Sequence, residues 1–314
     1  MNCVAIWCEK ATPPPSPGDG ETSLEVHFNL WKLKCSDSDA FKHFLDIGIM
    51  IGTSVDASHV KVYLPFKLSG DSIEDLGQRF RQHNGLVSAV FNEDCQVTTH
   101  PPEKVLTVTP QNLEAFRIYF LDKATDLTIR EEFDGSTFAI NLPPAYRDRK
   151  LYFRLRISLG KADTFAHVYN PANSIVESAF SATELVDFRL SETRNLNQSL
   201  LEEMRRHNRT KFSKVHFFLM REAHYDYVFS NVPLAGSRQL ETDLWKPYVP
   251  SDCQIDKVIA YHWKQKEVGD FSAFAKYKFE TNNWKTIAKF LLVLLLLSIL
   301  AGFVGSIIAN WVTG

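Results

Sequence analysis

The stretch Ser23–Cys35, SLEVHFNLWKLKC, decides the fold class. Leu24, Val26, Phe28 and Leu30 recur at every second position, the period of a strand that buries one face. The apolar phase then slips to Trp31, Leu33 and Cys35, which a β-bulge of one extra residue would explain. The same period runs through much of the chain. Val60, Val62 and Leu64 alternate in HVKVYLPFKL, and Leu151, Phe153, Leu155 and Ile157 alternate in KLYFRLRISL. FRIYFL, DLTIREEF, STFAINL, LVDFRLSE, KVHFFLM, HYDYVFSN and QIDKVIAYHW extend the series to about ten strands.

Helical spacing marks two segments. Residues 72–84 carry Ile73, Leu76 and Phe80 on one face and stop at Asn84-Gly85, and residues 196–208 carry Leu196, Leu200, Leu201 and Met204. The predicted fold is therefore α+β: a β-rich body over residues 23–270, sandwich-like or of two sheets, with two or more helices. TTHPPE at 98–103 reads as a turn, and a subdomain boundary is expected within 98–110. Residues 1–22, with Pro13, Pro14, Pro15 and Pro17, read as a flexible arm. No internal repeat stands out.

The end of the chain has a different composition. No residue from Phe290 to Gly314 is charged, and at about 1.5 Å per residue the 290–312 segment reaches about 34 Å, more than the hydrocarbon thickness of about 30 Å. It reads as one transmembrane helix, preceded by a juxtamembrane connector over 271–289. Trp284 and Trp311 bracket it at interfacial depth. Lys276, Lys278, Lys285 and Lys289 precede the span and no charge follows it, which orients the body to the cytoplasm, at the inner membrane if the cell is bacterial. No secretion signal is visible at the N-terminus.

Within the span, Ser298, Gly302 and Ser306 recur every fourth residue, as do Ala301, Gly305 and Ala309. Such a stripe lets backbones approach closely in lipid and points to self-association. Asn310 adds an amide near the outer boundary, and in an oligomer the serine row would line a polar path.

The body shows no familiar catalytic signature. G-x-S-x-G, Gly-rich phosphate loops and paired zinc-binding histidines are absent, and the ten histidines lack ligand spacing. No catalytic residue, metal or cofactor is expected, and the body reads as a binding module. The five cysteines are scattered and read as reduced thiols. A net charge of −2 and a pI near 6.6 give no global case for nucleic-acid binding. Two local basic clusters are candidate sites for an anionic ligand. Tyr152, Arg154 and Arg156 share the face of one strand opposite its apolar side, and Arg205, Arg206 and Arg209 follow the end of the second helix. A solvated, salt-bridged surface is the alternative for each.

This plan, a cytosolic sensing body followed by one self-associating span, resembles the membrane effectors of bacterial anti-phage defence, and among them the membrane component of the Hailong system. The resemblance implies a homo-oligomeric channel, such as a tetramer, held closed until infection. It also implies abortive infection as the outcome and a nucleotidyltransferase partner whose oligonucleotide product sets the gate. It assigns no residue. A membrane-tethered enzyme with an unrecognised active site and a tail-anchored adaptor are the other readings.

Overall fold

The computed structural model describes residues 3–9, 22–38, 40–52, 57–99, 104–143, 149–160, 164–169, 181–207, 210–280 and 284–313. In it the opening stretch is a single strand, β2 (Thr22–Lys34). Its pairing with β3 (Phe41–Ile51) runs without interruption from Leu24 opposite Ile51 to Lys34 opposite Phe41, so the expected bulge at Trp31 does not form. The apolar phase slips because both faces are covered: Leu24, Val26, Phe28 and Leu30 are buried on one, Trp31 and Leu33 on the other.

Two sheets hold the strands. Eight strands form one: β1 (Cys3–Glu9), β4 (His59–Leu64), β9 (Leu127–Glu132), β10 (Gly135–Asn141), β12 (Ala166–Tyr169), β13 (Ser181–Leu190), β15 (Tyr225–Ser230) and β18 (Phe271–Glu280). They lie in the order β15-β18-β13-β1-β4-β10-β9, with β12 beside β13. The ten-stranded sheet adds β5 (Ile73–Asp75), β6 (Cys95–Thr99), β7 (Val105–Pro110), β8 (Phe116–Tyr119), β11 (Leu151–Gly160), β14 (Thr210–Glu222), β16 (Gly236–Gln239) and β17 (Val258–Val268) to β2 and β3. Its order is β16-β17-β14-β2-β3-β11-β8-β7-β6, with β5 beside β11.

The chain divides into two compact units, residues 1–165, 186–223 and 230–274 in the first and 166–185, 224–229 and 275–314 in the second. Inside the first, Phe188 of β13 stacks on Phe217 of β14 at 4.7 Å and lies 4.8 Å from Phe28 of β2, an aromatic layer between two sheet faces. In the second, Tyr225 stacks on Phe279 at 4.5 Å.

Several expectations change. Residues 3–9 of the supposed arm are a core strand, with Cys3 through Cys8 each at most 2% exposed. CVAIWC lacks alternation because a strand covered on both sides needs none. Residues 10–21 lie outside the described part. The first expected helix is divided. Ile73–Asp75 pairs with Leu155–Ile157 at the sheet, and short helices follow at Gly77–Gln82 and Gly85–Phe91. The second is a helix at Gln198–Arg206, where Asn197 Oδ1 caps the start by accepting from the Ser199 amide at 2.9 Å. The proposed 98–110 boundary falls on the β6–β7 hairpin, inside the first unit. The 271–280 part of the connector is β18, in which Ala273 and Ala275 occupy inward positions and blur the alternation.

After β18 comes the helix Trp284–Thr313. Its Ile287–Trp311 part is long and apolar enough to cross a membrane, and none of it is buried.

Asp75 links the fold to pH. Burial pushes its carboxyl up to about 7, and backbone amides of Gly77, Leu121 and Gln78 pull it back only in part. The folded chain thus keeps a proton that the unfolded chain releases near 3.8, so this contribution to stability is complete below that pH and is lost as pH rises through about 7. Asp75→Asn is expected to melt higher than wild type above about pH 8, with the gap closing towards about pH 4; thermal denaturation of the full chain in detergent across that range measures it.

Candidate functional site

The face of the ten-stranded sheet opposite Phe28 and Phe217 is not open to solvent. Phe80, Leu86 and Val87 from the short helices cluster on it, as do Trp245, Tyr248 and Val249 from the segment that begins with the helix Thr242–Trp245. Beneath them Tyr152, Arg154 and Arg156 do share one face, as expected, but are 0%, 1% and 4% exposed. Arg156 pairs with Asp46 of β3. Its carboxylate accepts from Arg156 Nε at 2.7 Å and Nη2 at 3.0 Å, from Tyr248 Oη at 2.7 Å and from Trp31 Nε1 at 2.9 Å. Arg154 Nε donates to Tyr248 Oη at 2.6 Å and its Nη1 to Tyr152 Oη at 2.8 Å. The cations that looked available to a ligand are internally committed, because the residues that cover and neutralise them lie far off in sequence.

The second basic cluster belongs elsewhere. Arg205 and Arg206 are exposed at the end of the helix Gln198–Arg206, whose Leu200 packs with Cys3, Ala5, Trp7 and Tyr63 of the other sheet. Arg206 Nη1 meets Glu203 at 3.3 Å. Arg209 lies outside the described residues.

An accessible site does open beside the Asp46 network: a cleft of about 490 Å³. Its floor comes from three adjacent strands, with Glu25, His27 and Asn29 of β2, Lys214, His216 and Phe218 of β14, and His262 and Lys264 of β17; Phe91 and Arg238 line it too. Register assembles it. The parallel β2–β14 pairing sets His27 directly opposite His216, and the antiparallel β14–β17 pairing sets Phe218 opposite His262. His27 Nε2 lies 3.2 Å from Glu25 Oε1, His216 Nε2 lies 3.8 Å from the same oxygen, and Lys214 Nζ bonds Glu25 Oε2 at 2.8 Å. His216 Nδ1 meets His262 Nε2 at 3.0 Å, and the His262 ring stacks on Phe218 at 4.2 Å. On the inner side His27 Nδ1 meets Tyr152 Oη at 3.3 Å, so a chain of polar contacts leads from the cleft through Arg154 and Tyr248 to Asp46.

Electrostatics keep the imidazoles neutral near pH 7. Burial lowers His27, although Glu25 opposes it. Burial and the neighbouring His27 and His262 hold His216 well below the ordinary histidine range, and burial and Lys264 lower His262 to about 4. For Glu25, burial would raise the carboxyl, but His27 and Lys214 outweigh it and hold it well below the usual range. The cleft thus combines neutral nitrogen donors, an ionised carboxylate, the cationic side chains of Lys214, Lys264 and Arg238 and a stacked aromatic pair, groups that can bind an anionic, ring-bearing ligand or a metal ion.

Ligand spacing within one segment could not reveal this cluster, since 189 residues separate Glu25 from Lys214. One signal was there: Glu25-Val26-His27-Phe28 and Lys214-Val215-His216-Phe217 share V-H-F, and the two copies pair residue for residue. No protein family matches the chain, and no curated protein sequence is similar to it.

The residues singled out in the span, Ser298, Ala301, Gly302, Gly305, Ser306, Ala309 and Asn310, all lie on the terminal helix. Ser298 Oγ donates to the Leu294 carbonyl at 2.9 Å within its own helix, and a Cβ at Gly302 or Gly305 would meet nothing within 4 Å.

Asp46→Asn removes the counter-charge of two buried guanidinium groups and is expected to cost about 3–5 kcal/mol of stability; denaturant unfolding in detergent measures it. Gly48 packs beneath Tyr152, and a methyl there would run into the phenol hydroxyl. Gly48→Ala is expected to cost about 1–3 kcal/mol in the same assay.

Proposed function

We propose that the protein is a single-pass membrane effector whose terminal helix packs against those of other copies, and whose β-rich cytosolic body sets, through a ligand in the cleft, whether the assembly lets ions pass. The observation that carries this reading is the terminal helix. Leu295, Ile299 and Phe303 are 57%, 61% and 66% exposed on it, an apolar surface that lipid accepts and water penalises. The lysines ahead of it favour a cytoplasmic body, and the open Gly302 and Gly305 positions favour close helix contact.

For the ligand, the cleft supports an anion with an aromatic ring. Lys214, Lys264 and Arg238 supply charge for phosphate, and the His262–Phe218 stack offers a plane for a base. The oligonucleotide product of a partner nucleotidyltransferase has both features. In that setting the protein serves anti-phage defence by abortive infection, the role its architectural resemblance implies. A second reading, a membrane-tethered enzyme, is favoured by one observation, the Glu25–His27–His216 cluster in the same cleft; in that case the body freed of its span keeps the activity.

Expressing the intact chain beside one that ends at Thr281 tests the effector. Membrane depolarisation is expected with the first and absent with the second. Gly302→Leu with Gly305→Leu is expected to shift the cross-linked oligomer to monomer. Depolarisation by the truncated body, or an unchanged oligomer, would sink the proposal.

A further inference from the structure

We propose that Glu25, His27 and His216 form a binding site for a divalent first-row metal ion, zinc in the first instance, on the floor of the cleft. One donor atom from each lies within 4.8 Å of the other two. Tetrahedral zinc with bonds of about 2.0–2.2 Å holds neighbouring ligand atoms roughly 3.3 Å apart. The His27 Nε2 and His216 Nε2 separations from Glu25 Oε1, 3.2 and 3.8 Å, bracket that value.

The surrounding contacts are those a metal site needs. An imidazole ligand is oriented by a hydrogen bond from its other nitrogen. For His27 that partner is Tyr152 Oη, and for His216 it is His262 Nε2. With His216 Nδ1–H donating to His262, its Nε2 presents a lone pair towards Glu25. Among the described residues that nitrogen is shut from solvent and has no hydrogen-bond partner, which a purely hydrogen-bonded cluster would not leave. Lys214 does not compete for the position: it occupies Glu25 Oε2 and leaves Oε1 for the metal. Two histidines and one carboxylate are the donor set of zinc sites that keep a fourth position for water or substrate. Here that position faces the cleft. The inference is independent of the proposed membrane role.

Titration of the full-length, detergent-solubilised protein with zinc and cobalt(II) chlorides tests it. After chelator treatment, one equivalent of zinc per chain is expected, and cobalt(II) is expected to show the visible bands of a four-coordinate nitrogen–oxygen site. His216→Gln should weaken zinc binding by more than about 100-fold and His262→Phe, which keeps the stack on Phe218, by about 10–100-fold. Circular dichroism establishes that each variant is folded. No stoichiometric site in the wild-type protein overturns the proposal whatever the variants do, and so does a folded His216→Gln that binds zinc as tightly as wild type.

Discussion

The carboxylate of Asp46 holds the outer layer of the first unit to its sheet. It accepts four hydrogen bonds from groups far apart in sequence, Trp31 on β2, Arg156 on β11 and Tyr248 in the covering segment. Arg156 Nη1 and Arg79 Nη1 then bind the Tyr248 carbonyl at 3.0 and 2.8 Å, so the covering segment is gripped through both side chain and backbone. A buried ion pair of this kind adds little net stability over an apolar replacement, but it penalises any arrangement that leaves one partner behind. Its effect is to specify which segment covers the sheet and in what register.

That constraint reaches the cleft. Tyr152, fixed by Arg154 and by the close approach of Gly48, is also the inner partner of His27. The imidazole at the floor of the cleft is therefore oriented by the same network that anchors the cover. His216 and His262 are held differently, by strand register and by stacking on Phe218. The floor is rigid because it is sheet. Arg238 of β16, which donates to Asn92 Oδ1 and the Ala89 carbonyl, ties the rim to the short helix Gly85–Phe91.

Much of the architecture was legible in the sequence because hydrophobic period is a local property. Strands such as β4, β10 and β11 alternate visibly, and the terminal run announces a helix long and apolar enough to cross a membrane. Where period failed, the cause was double burial. β1, β3 and the second half of β2 carry apolar side chains on both faces, so CVAIWC looked like part of an arm and Trp31 like a bulge. Polar residues misled in the opposite direction: Arg154 and Arg156 imitate a surface only while Asp46 and Tyr248 are out of view.

By itself the sequence determined the β-rich α+β class, the position of the long apolar helix and the shared face of Tyr152, Arg154 and Arg156, since each depends on neighbours a few residues away. Only the tertiary structure decided which faces are covered, that the arginines are interior, and that Glu25, His27, His216 and His262 meet in one cleft. Those outcomes depend on pairing between strands up to about two hundred residues apart, and the register that selects them is set by the summed burial of whole sheets, to which no single segment holds the key.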